Sequence, residues 1–368
     1  MKLFDYLDAA KLSEQITQGM VKRNDHPDLP LCILNYTPKA QFTPELWNEV
    51  TDKCRGLIYD SRSLEIVSRP FVKFWNYGDP RHPETMPENL PSTEPKITRK
   101  MDGSLGIFYR SEDRFGIATR GSFVSDQAKW ATRYLEMNRA VAWPDGFTPL
   151  FEIVFPENQI VVKYDFSGLV LLAMVNNETG EESPREQLEI FAKGNGVRLV
   201  DDFAKTIGVC ITEDIENEEG YVASWERPGT YPLRVKIKME TYCRLHRLMT
   251  QTNPVTVWEM LKDGLDLTTL TQEAPADFLQ WVNAVESSLR NAYKTLEDVA
   301  LSAMLEYEGE KNISSPEQRK QFAAYATGKQ PLTTILFSIL DRKDYSPIIW
   351  KMIRPSGKDR GFKVDIDE

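Results

Sequence analysis

The amino-acid sequence predicts an α+β protein, in which a domain with antiparallel sheets is followed by an all-helical domain. From Leu31 onwards, short segments rich in β-branched and aromatic residues alternate with turn residues, which is the pattern of strands in a sheet. After Arg247 this pattern stops, and the run 278–307 repeats its apolar residues with a helical period. We therefore place the domains at residues 1–247 and 248–368.

Elements of the first domain follow from local patterns. Residues 1–30 predict a short helix and a polar loop rich in proline at its end. The segments Ser125–Arg139 and Ser183–Gly194 predict helices, because serine can cap each start and glycine closes the second one. The predicted strands are KITR and the segments CRGLIYD, LEIVSRPFVKFW, LGIFYR, RFGIATR, LFEIVF, GLVLLAMV, EGYVASW and LRVKIK.

Elements of the second domain are predicted to be helices throughout. The 278–307 run is long enough for one extended amphipathic helix. The sequence Ser315-Pro316-Glu317-Gln318 has the form of a capping box with proline at the first helical position. It predicts a helix over 316–327, and further helices are expected over 331–341 and 346–353.

Composition excludes several classes of protein. The chain has 368 residues, of which 41% are hydrophobic, so it can bury proper cores. No run of 18 or more apolar residues is present, and the charged N-terminus does not resemble a signal peptide, so we expect a cytoplasmic protein without a membrane partner. The net charge of −10 argues against non-specific coating of nucleic acid but permits a local basic groove.

The cysteines predict neither zinc binding nor a disulfide framework. The chain has only three histidines, and no two cysteines form a CxxC pair. Buried free thiols are the expected state of these residues, which are Cys32, Cys54, Cys210 and Cys243.

One lysine stands out as a candidate for chemistry. Lys100 begins the sequence Lys-Met-Asp-Gly between two predicted strands, so Asp102 and Gly103 follow it at fixed spacing. Taken alone, a solvated lysine beside a turn is the better explanation of these residues. However, further blocks occur in order along the chain, and these are Cys54-Arg55-Gly56, Arg69-Pro70-Phe71-Val72-Lys73-Phe74, Phe151-Glu152-Ile153, Glu219-Gly220-Tyr221-Val222 and Lys236-Ile237-Lys238.

The last of these blocks indicates an anion site. Lys236 and Lys238 share one face of a strand, because alternate residues of a strand point the same way. Two ammonium groups on one face repel each other unless an anion lies between them. The alternative is an exposed strand face, where lysines are common.

In this order, the blocks resemble the nucleotidyl motifs of the covalent nucleotidyltransferases, which include DNA ligases, RNA ligases and capping enzymes. The flanking sequences RKMDGSLG, SRPFVKFWN, TRGSFVSDQA and NEEGYVA resemble the RNA ligase 1 family of T-even bacteriophages, from about residue 31 to about residue 266. That family appends a helical domain, whereas DNA ligases and capping enzymes continue into an OB-type β-barrel. The predicted helical domain therefore favours the RNA ligase.

This resemblance implies an ATP-dependent RNA ligase that works in three steps. Lys100 takes AMP from ATP, the AMP moves to the 5′-phosphate of an RNA end, and a 3′-hydroxyl then displaces it. The resemblance also implies Mg²⁺ or Mn²⁺, a monomer, and RNA ends as partners, for example those of a cleaved tRNA in RNA repair. The host cytoplasm is the expected location if a phage encodes the chain.

The resemblance also assigns roles around the nucleotide. Lys236 and Lys238 would hold the α-phosphate, and Glu219 would orient the site through nucleoside or metal contacts. Glu152 would accept a ribose hydroxyl, and Gly103 would let the backbone approach the nucleotide. The cations that face Lys100 are expected to lower its pKa from the usual value of about 10.4.

Other assignments keep an alternative open. Arg55 and Lys73 would bind the β- and γ-phosphates. Tyr36 aligns with a family tyrosine at the nucleotide, although core packing would also explain it. Arg120 stands where the family carries lysine, so charge is kept while the geometry differs. Asp266 is the best match for a metal-binding carboxylate of the helical domain, but an exposed aspartate at a helix end is the simpler interpretation.

Tyr242 follows the second lysine block at the family spacing and is a candidate for the later steps, although a packed aromatic is the simpler interpretation.

Three rival functions stay open at this point. A DNA ligase or a GTP-using capping enzyme would share the lysine chemistry. A non-catalytic RNA-binding module would keep only the fold, and would have no need for a nucleophile at Lys100.

Overall fold

The chain forms two compact units in the computed structural model. The first unit is Met1–Arg244 and the second begins at Leu245. Each unit has hydrophobic clusters of its own. The structure describes residues 1–138, 144–271, 274–307, 313, 315–356 and 361–362.

The first sheet is a four-stranded antiparallel meander, because each strand pairs with the next one along the chain. Its second and third strands are buried on both faces. Leu34 and Leu57 pack with the N-terminal helices, whereas Ile33 and Ile58 pack against the second sheet. Its strands are β1 (Val21–Asp25), β2 (Leu31–Tyr36), β3 (Arg55–Asp60) and β4 (Ile66–Ser68).

The second sheet has five strands and lies between the first sheet and two helices. One face packs on helical residues such as Leu135 and Phe191, and the other contributes Ile107 and Leu150 to the cluster shared with the first sheet. Its pairings are antiparallel except for one parallel edge pair. In spatial order the strands are β11 (Arg198–Leu199), β10 (Gly168–Asn176), β9 (Phe147–Val154), β7 (Ser104–Ser111) and β8 (Arg114–Ala118).

The third sheet carries the three lysines that the sequence assigned to chemistry, Lys100, Lys236 and Lys238. It is antiparallel apart from a short parallel pairing at one edge. In spatial order its five strands are β12 (Asp202–Phe203), β6 (Lys96–Lys100), β13 (Gly220–Trp225), β14 (Leu233–Lys238) and β5 (Trp75–Asn76).

Both helices predicted inside the first domain are present. Ser125 caps the first of them by accepting a hydrogen bond from the Ala128 amide, and the second ends at Gly196 in the left-handed conformation with φ +63°. Short 3-10 turns occur at Pro44–Leu46, Pro83–Thr85, Pro87–Asn89 and Pro156–Asn158. The α-helices are α1 (Leu3–Tyr6), α2 (Ala9–Thr17), α3 (Pro38–Gln41), α4 (Glu49–Lys53), α5 (Asp126–Met137), α6 (Arg185–Asn195) and α7 (Ile207–Cys210).

The second unit is helical wherever the structure describes it. The capping box is confirmed, because the side chain of Ser315 accepts from the Gln318 amide and the Gln318 side chain accepts from the Ser315 amide. Among the described residues, no helix has both the length and the apolarity to cross a bilayer. The helices are α8 (Glu240–Gln251), which crosses the boundary between the units, α9 (Pro254–Lys262), α10 (Thr268–Thr271), α11 (Ala276–Glu306), α12 (Pro316–Thr327), α13 (Thr333–Leu340) and α14 (Ser346–Met352).

Three regions differ from the sequence prediction. Residues 21–25, placed in a polar loop, form β1, because their backbone pairs with β2 although most of their side chains are exposed. The segment 64–75, predicted as one strand, is extended over two short pieces only, and Pro70 between them has no amide hydrogen for a ladder. Residues 240–262 have no helix with predicted bounds but form α8 and α9, the latter capped by Asn253.

Candidate active site

The pairing of three strands brings the lysine blocks together. In the third sheet, Lys100 lies opposite Gly220, and Gly220 lies opposite Lys238. Lys236 is two residues earlier on the same strand and therefore shares this face. Gly220 adopts a φ of +144°, and a Cβ there would lie 2.0 Å from the carbonyl oxygen of Ile237. Only glycine allows this close pairing.

Glu219, the residue immediately before β13, lies next to two of these lysines. Its carboxylate is 3% exposed. Oε2 lies 2.7 Å from the Lys100 amine, and Oε1 lies 3.4 Å from the Lys238 amine. Burial would raise the pKa of Glu219, but the charges of Lys100 and Lys238 outweigh it and keep the pKa below the ordinary value. Glu219 is therefore a buried carboxylate that bridges two ammonium groups.

The pKa of Lys100 corrects the sequence-based expectation. Burial acts to lower this pKa, but the carboxylates of Glu219, Glu152 and Asp102 outweigh burial and raise it above the ordinary value. The sequence showed the nearby cations, whereas folding adds three carboxylates around the amine. In this structure Lys100 is therefore a protonated amine held by Glu219.

Lys236 lies among several other cations. Burial lowers the pKa of Lys236 well below the ordinary value, and the charges of Lys73, Lys100, Lys238 and Arg55 lower it further. Burial lowers the pKa of Lys73 as well. Such shifts mean that the protonated forms lack sufficient negative charge nearby. A bound polyanion would supply that charge.

Tyr36 lies at the end of β2 and is 3% exposed. Its hydroxyl accepts hydrogen bonds from Arg120 at 2.6 Å and from Lys73 at 3.2 Å. Tyr36 is thus packed in the core and also contacts two of the cations, while its place at the nucleotide stays a prediction. Arg120 reaches this hydroxyl from the segment after β8 and is 8% exposed.

Asp102 fixes the turn that follows Lys100. One carboxylate oxygen accepts from the amides of Val161 and Val162 at 2.8 and 2.7 Å. The other accepts from the hydroxyl of Tyr242 at 2.8 Å, and the Asp102 amide donates to the Tyr164 hydroxyl at 2.7 Å. Tyr242, interpreted from the sequence as a packed aromatic, is buried but also hydrogen-bonded to the lysine motif.

Gly103 lies close to the backbone of β9, whereas the sequence predicted a close approach to the nucleotide. A Cβ at this position would lie 2.6 Å from the carbonyl oxygen of Ile153 on β9 and 3.0 Å from the Glu152 side chain. The close approach that requires glycine is thus between two protein backbones. It also places Glu152 beside the turn that carries Lys100.

Asp266 lies in the second unit, immediately before α10. It is exposed, and its carboxylate accepts from the Thr268 amide at 2.9 Å and from the Thr268 hydroxyl at 2.7 Å. This is the environment of an aspartate at a helix start, the simpler of the two interpretations. Across the described part of the chain, no group of three or more His, Cys, Asp or Glu side chains is placed to hold a metal ion.

A cavity of about 310 Å³ opens beside Lys100 and Glu219, a size typical of small-molecule sites. Its apolar wall includes Met101, Tyr164 and Phe166, none of which was singled out from the sequence. Its remaining lining comprises Arg99, Val162, Val170, Arg198, Leu199, Val200, Asp201, Glu216, Asn217 and Glu218.

Two salt bridges and one cation–π contact shape this lining. Arg99 pairs with Glu218 at 2.5 Å and with Asp201 at 3.0 Å, and the guanidinium of Arg198 lies 3.8 Å from the centroid of the Phe166 ring. Tyr164 and Phe166 are two residues apart in the sequence, and this spacing of aromatic residues could have indicated the apolar wall of the cavity.

The third sheet thus aligns Lys100 with two further lysines and a buried glutamate, the residues that the sequence predicts for a nucleotidyltransferase site. The model of the RNA ligase family matches residues 53–242, and the chain belongs to this family. A putative RNA ligase of Thermovibrio ammonificans is 32% identical over 209 residues, which are 53% of this chain and 53% of the relative. RNA ligase 1 of bacteriophage TS2126 is 30% identical over 178 residues, which are 45% of this chain and 44% of the relative.

The chain thus spans about half the length of these two curated relatives. Among solved structures, a putative ATP-dependent DNA ligase from Aquifex aeolicus aligns with a TM-score of 0.42 and 13% identity. That alignment covers 90% of this chain and 98% of the other one.

Proposed function

We propose that this protein is an ATP-dependent RNA ligase that joins 3′-hydroxyl and 5′-phosphate RNA ends through a Lys100–AMP intermediate. The observation that carries the proposal is the Lys100 amine held 2.7 Å from buried Glu219, with Lys236 and Lys238 on the same face of the sheet. Membership of the RNA ligase family supports the same conclusion.

The first step requires a neutral amine at Lys100. The amine attacks the α-phosphorus of ATP, the P–N bond forms, and pyrophosphate leaves. Because Glu219 stabilises the protonated amine in the free protein, we expect nucleotide binding to loosen this ion pair before attack. Lys236 and Lys238 would then stabilise the charge that develops on the α-phosphate.

Nucleoside and phosphates have separate places in this scheme. The nucleoside would occupy the cavity beside Tyr164 and Phe166, with Glu152 accepting a ribose hydroxyl. The β- and γ-phosphates would lie at Arg55 and Lys73. Burial lowers the pKa of Lys73, so a bound anion would stabilise its protonated form. Arg120 would act on this phosphate site indirectly, because it donates a hydrogen bond to the hydroxyl of Tyr36.

Carboxylates beside the nucleophile suit a divalent cation that is shared with the nucleotide. Mg²⁺ is usually held by one or two carboxylates together with substrate phosphates and water, and Glu219 and Glu152 both face Lys100. When bound, Mg²⁺ or Mn²⁺ would neutralise phosphate charge. Asp266 stays a proposed metal-binding carboxylate of the helical unit.

The rival functions share parts of this site. A DNA ligase or a GTP-using capping enzyme would also need Lys100, but the described part of the second unit is helical, which supports the RNA ligase. A non-catalytic RNA-binding module would have no use for an amine placed between a buried carboxylate and two lysines. The helical unit would select the RNA, for which ends of a cleaved tRNA are one candidate.

Labelling with ATP tests the proposal directly. Incubation with α-labelled ATP and Mg²⁺, followed by denaturing separation, should leave acid-labile label on the wild-type chain and none on Lys100→Ala. Label from GTP but not ATP would instead indicate a capping-type enzyme. Folded protein that takes label from neither nucleotide would contradict the proposal, and full end joining by Lys100→Ala would contradict the covalent mechanism.

A further inference from the structure

A row of aromatic rings extends from the proposed phosphate site towards solvent. The ring centroids of Tyr36 and Trp47 are 5.1 Å apart, and those of Trp47 and Trp75 are also 5.1 Å apart. The His82 ring then stacks on Trp75 with a centroid distance of 3.6 Å and an interplanar angle of 9°. The row ends at an imidazole that retains 21% of its side-chain exposure.

We propose that the outer face of His82, supported by Trp75, binds the base of the 5′-terminal nucleotide of the RNA strand that receives AMP. This inference rests on the proposed function, because it concerns the second step of that reaction. It assigns a nucleobase site to two residues that have no other role in the scheme.

In-line transfer at phosphorus fixes where this nucleotide must lie. In the first step, pyrophosphate leaves from the side of the α-phosphorus opposite Lys100. In the second step, an oxygen of the RNA 5′-phosphate attacks the same phosphorus, the P–N bond breaks, and the Lys100 amine leaves and takes up a proton. The RNA phosphate therefore enters where pyrophosphate left. It meets Arg55 and Lys73, and its nucleoside lies just beyond them.

The aromatic row begins at those same cations. The Lys73 amine lies 4.7 Å from the centroid of Trp75 and 4.9 Å from that of Tyr36, so the two rings enclose it. In the pairing of β5 with β14, Trp75 lies opposite Val235, and the next residue, Asn76, lies opposite Lys236. A phosphate bound at Lys73 would therefore place its nucleoside beside the Trp75–His82 stack.

The imidazole suits stacking with a base. No hydrogen bond within the described residues uses a ring nitrogen of His82, and its nearest acidic group is the Glu84 carboxylate at 3.8 Å. Burial lowers the pKa of His82, so the ring is a neutral, flat aromatic at neutral pH. Stacking on such a ring tolerates every base, and the site should therefore accept any 5′-terminal nucleotide.

A substrate without the first base tests this site in the full-length protein. Enzyme that already carries AMP is mixed with 5′-phosphorylated RNA whose first nucleotide is either normal or abasic, and AMP transfer is timed. Loss of one stacked base should slow transfer by the wild type roughly 5- to 100-fold. His82→Ala should abolish this difference, and His82→Phe, which keeps a flat ring, should preserve it.

Phe42→Ala is the matched control, since Phe42 is an aromatic side chain that is 85% exposed and should leave the difference unchanged. His82→Ala should also form Lys100–AMP at the wild-type rate, because the proposal gives the ring a role only in the second step. Equal transfer to both RNAs by the wild type, or an undiminished difference in His82→Ala, would overturn the base site while leaving the ligase intact. Absence of Lys100–AMP in the wild type would overturn both proposals.

Discussion

Lys100 and Lys236 lie on one face of the same sheet, yet folding shifts their pKa values in opposite directions. Carboxylates raise the pKa of Lys100 despite its burial, whereas burial and neighbouring cations lower that of Lys236. A lower pKa means that the amine becomes neutral, and so reactive, at a lower pH. We therefore expect acetic anhydride to label Lys236 in the free protein at a lower pH than Lys100.

Mass spectrometry of peptides labelled across a pH series would measure both curves. Exposed Lys22 on β1 serves as an internal reference for the reagent. Glu219→Gln removes the largest interaction that raises the Lys100 pKa, so its Lys100 curve should move to lower pH. Labelling of Lys100 before Lys236 in the wild type would show that the carboxylates do not control the pKa of Lys100.

At the scale of elements, the pairing of β13 with β14 depends on one glycine. Gly220→Ala would place a Cβ 2.0 Å from the Ile237 carbonyl oxygen, at a φ of +144° that side chains disfavour. The backbone conformation alone should destabilise the fold by about 1–3 kcal/mol, and the clash adds to this. Calorimetry should show a melting temperature lower by several degrees.

Gly194→Ala is the matched control. Gly194 lies in α6, its φ is ordinary, and nothing lies within 4 Å of the added Cβ. Alanine should therefore stabilise the helix by about 0.5–1 kcal/mol. Equal melting temperatures for the two variants would mean that the sheet can repack around residue 220.

The elements that were predictable are those with a local pattern. The period of two along β14 was enough to place Lys236 and Lys238 on one face, and Ser315 marked the start of α12. The cavity wall was not predictable, because the pairing of Val170 with Arg198 brings β11 to the site from a distant part of the chain.

The protonation state of Lys100 was not predictable for a related reason. The sequence places Arg99 beside Lys100, but Glu219 and Glu152 reach it only through folding. Likewise Tyr242 lies 140 residues after Asp102, so no local pattern could indicate the hydrogen bond between them. Side-chain types indicated the chemistry, whereas protonation depended on tertiary contacts.

At the scale of the whole molecule, net charge and site charge have opposite signs. The chain carries −10, while Arg55, Lys73, Lys236 and Lys238 converge on one another in the first unit. A small basic site on an acidic body suits recognition of an RNA end rather than of a long duplex, because few phosphates can be neutralised at once. End joining should therefore depend less steeply on salt than binding along a duplex does.

The division into two units predicts a separation of steps. A chain that stops at Thr252 keeps α8, Tyr242 and the whole cation site, and it loses Asp266 with the rest of the helical unit. Because the first unit has its own hydrophobic clusters, this fragment should fold and form Lys100–AMP from labelled ATP. It should join RNA ends poorly in comparison with the full chain, since the helical unit is proposed to select them. A folded fragment that takes no label would show that residues after 252 are needed for adenylylation. Full end joining by the fragment would show that the helical unit is not needed to select RNA.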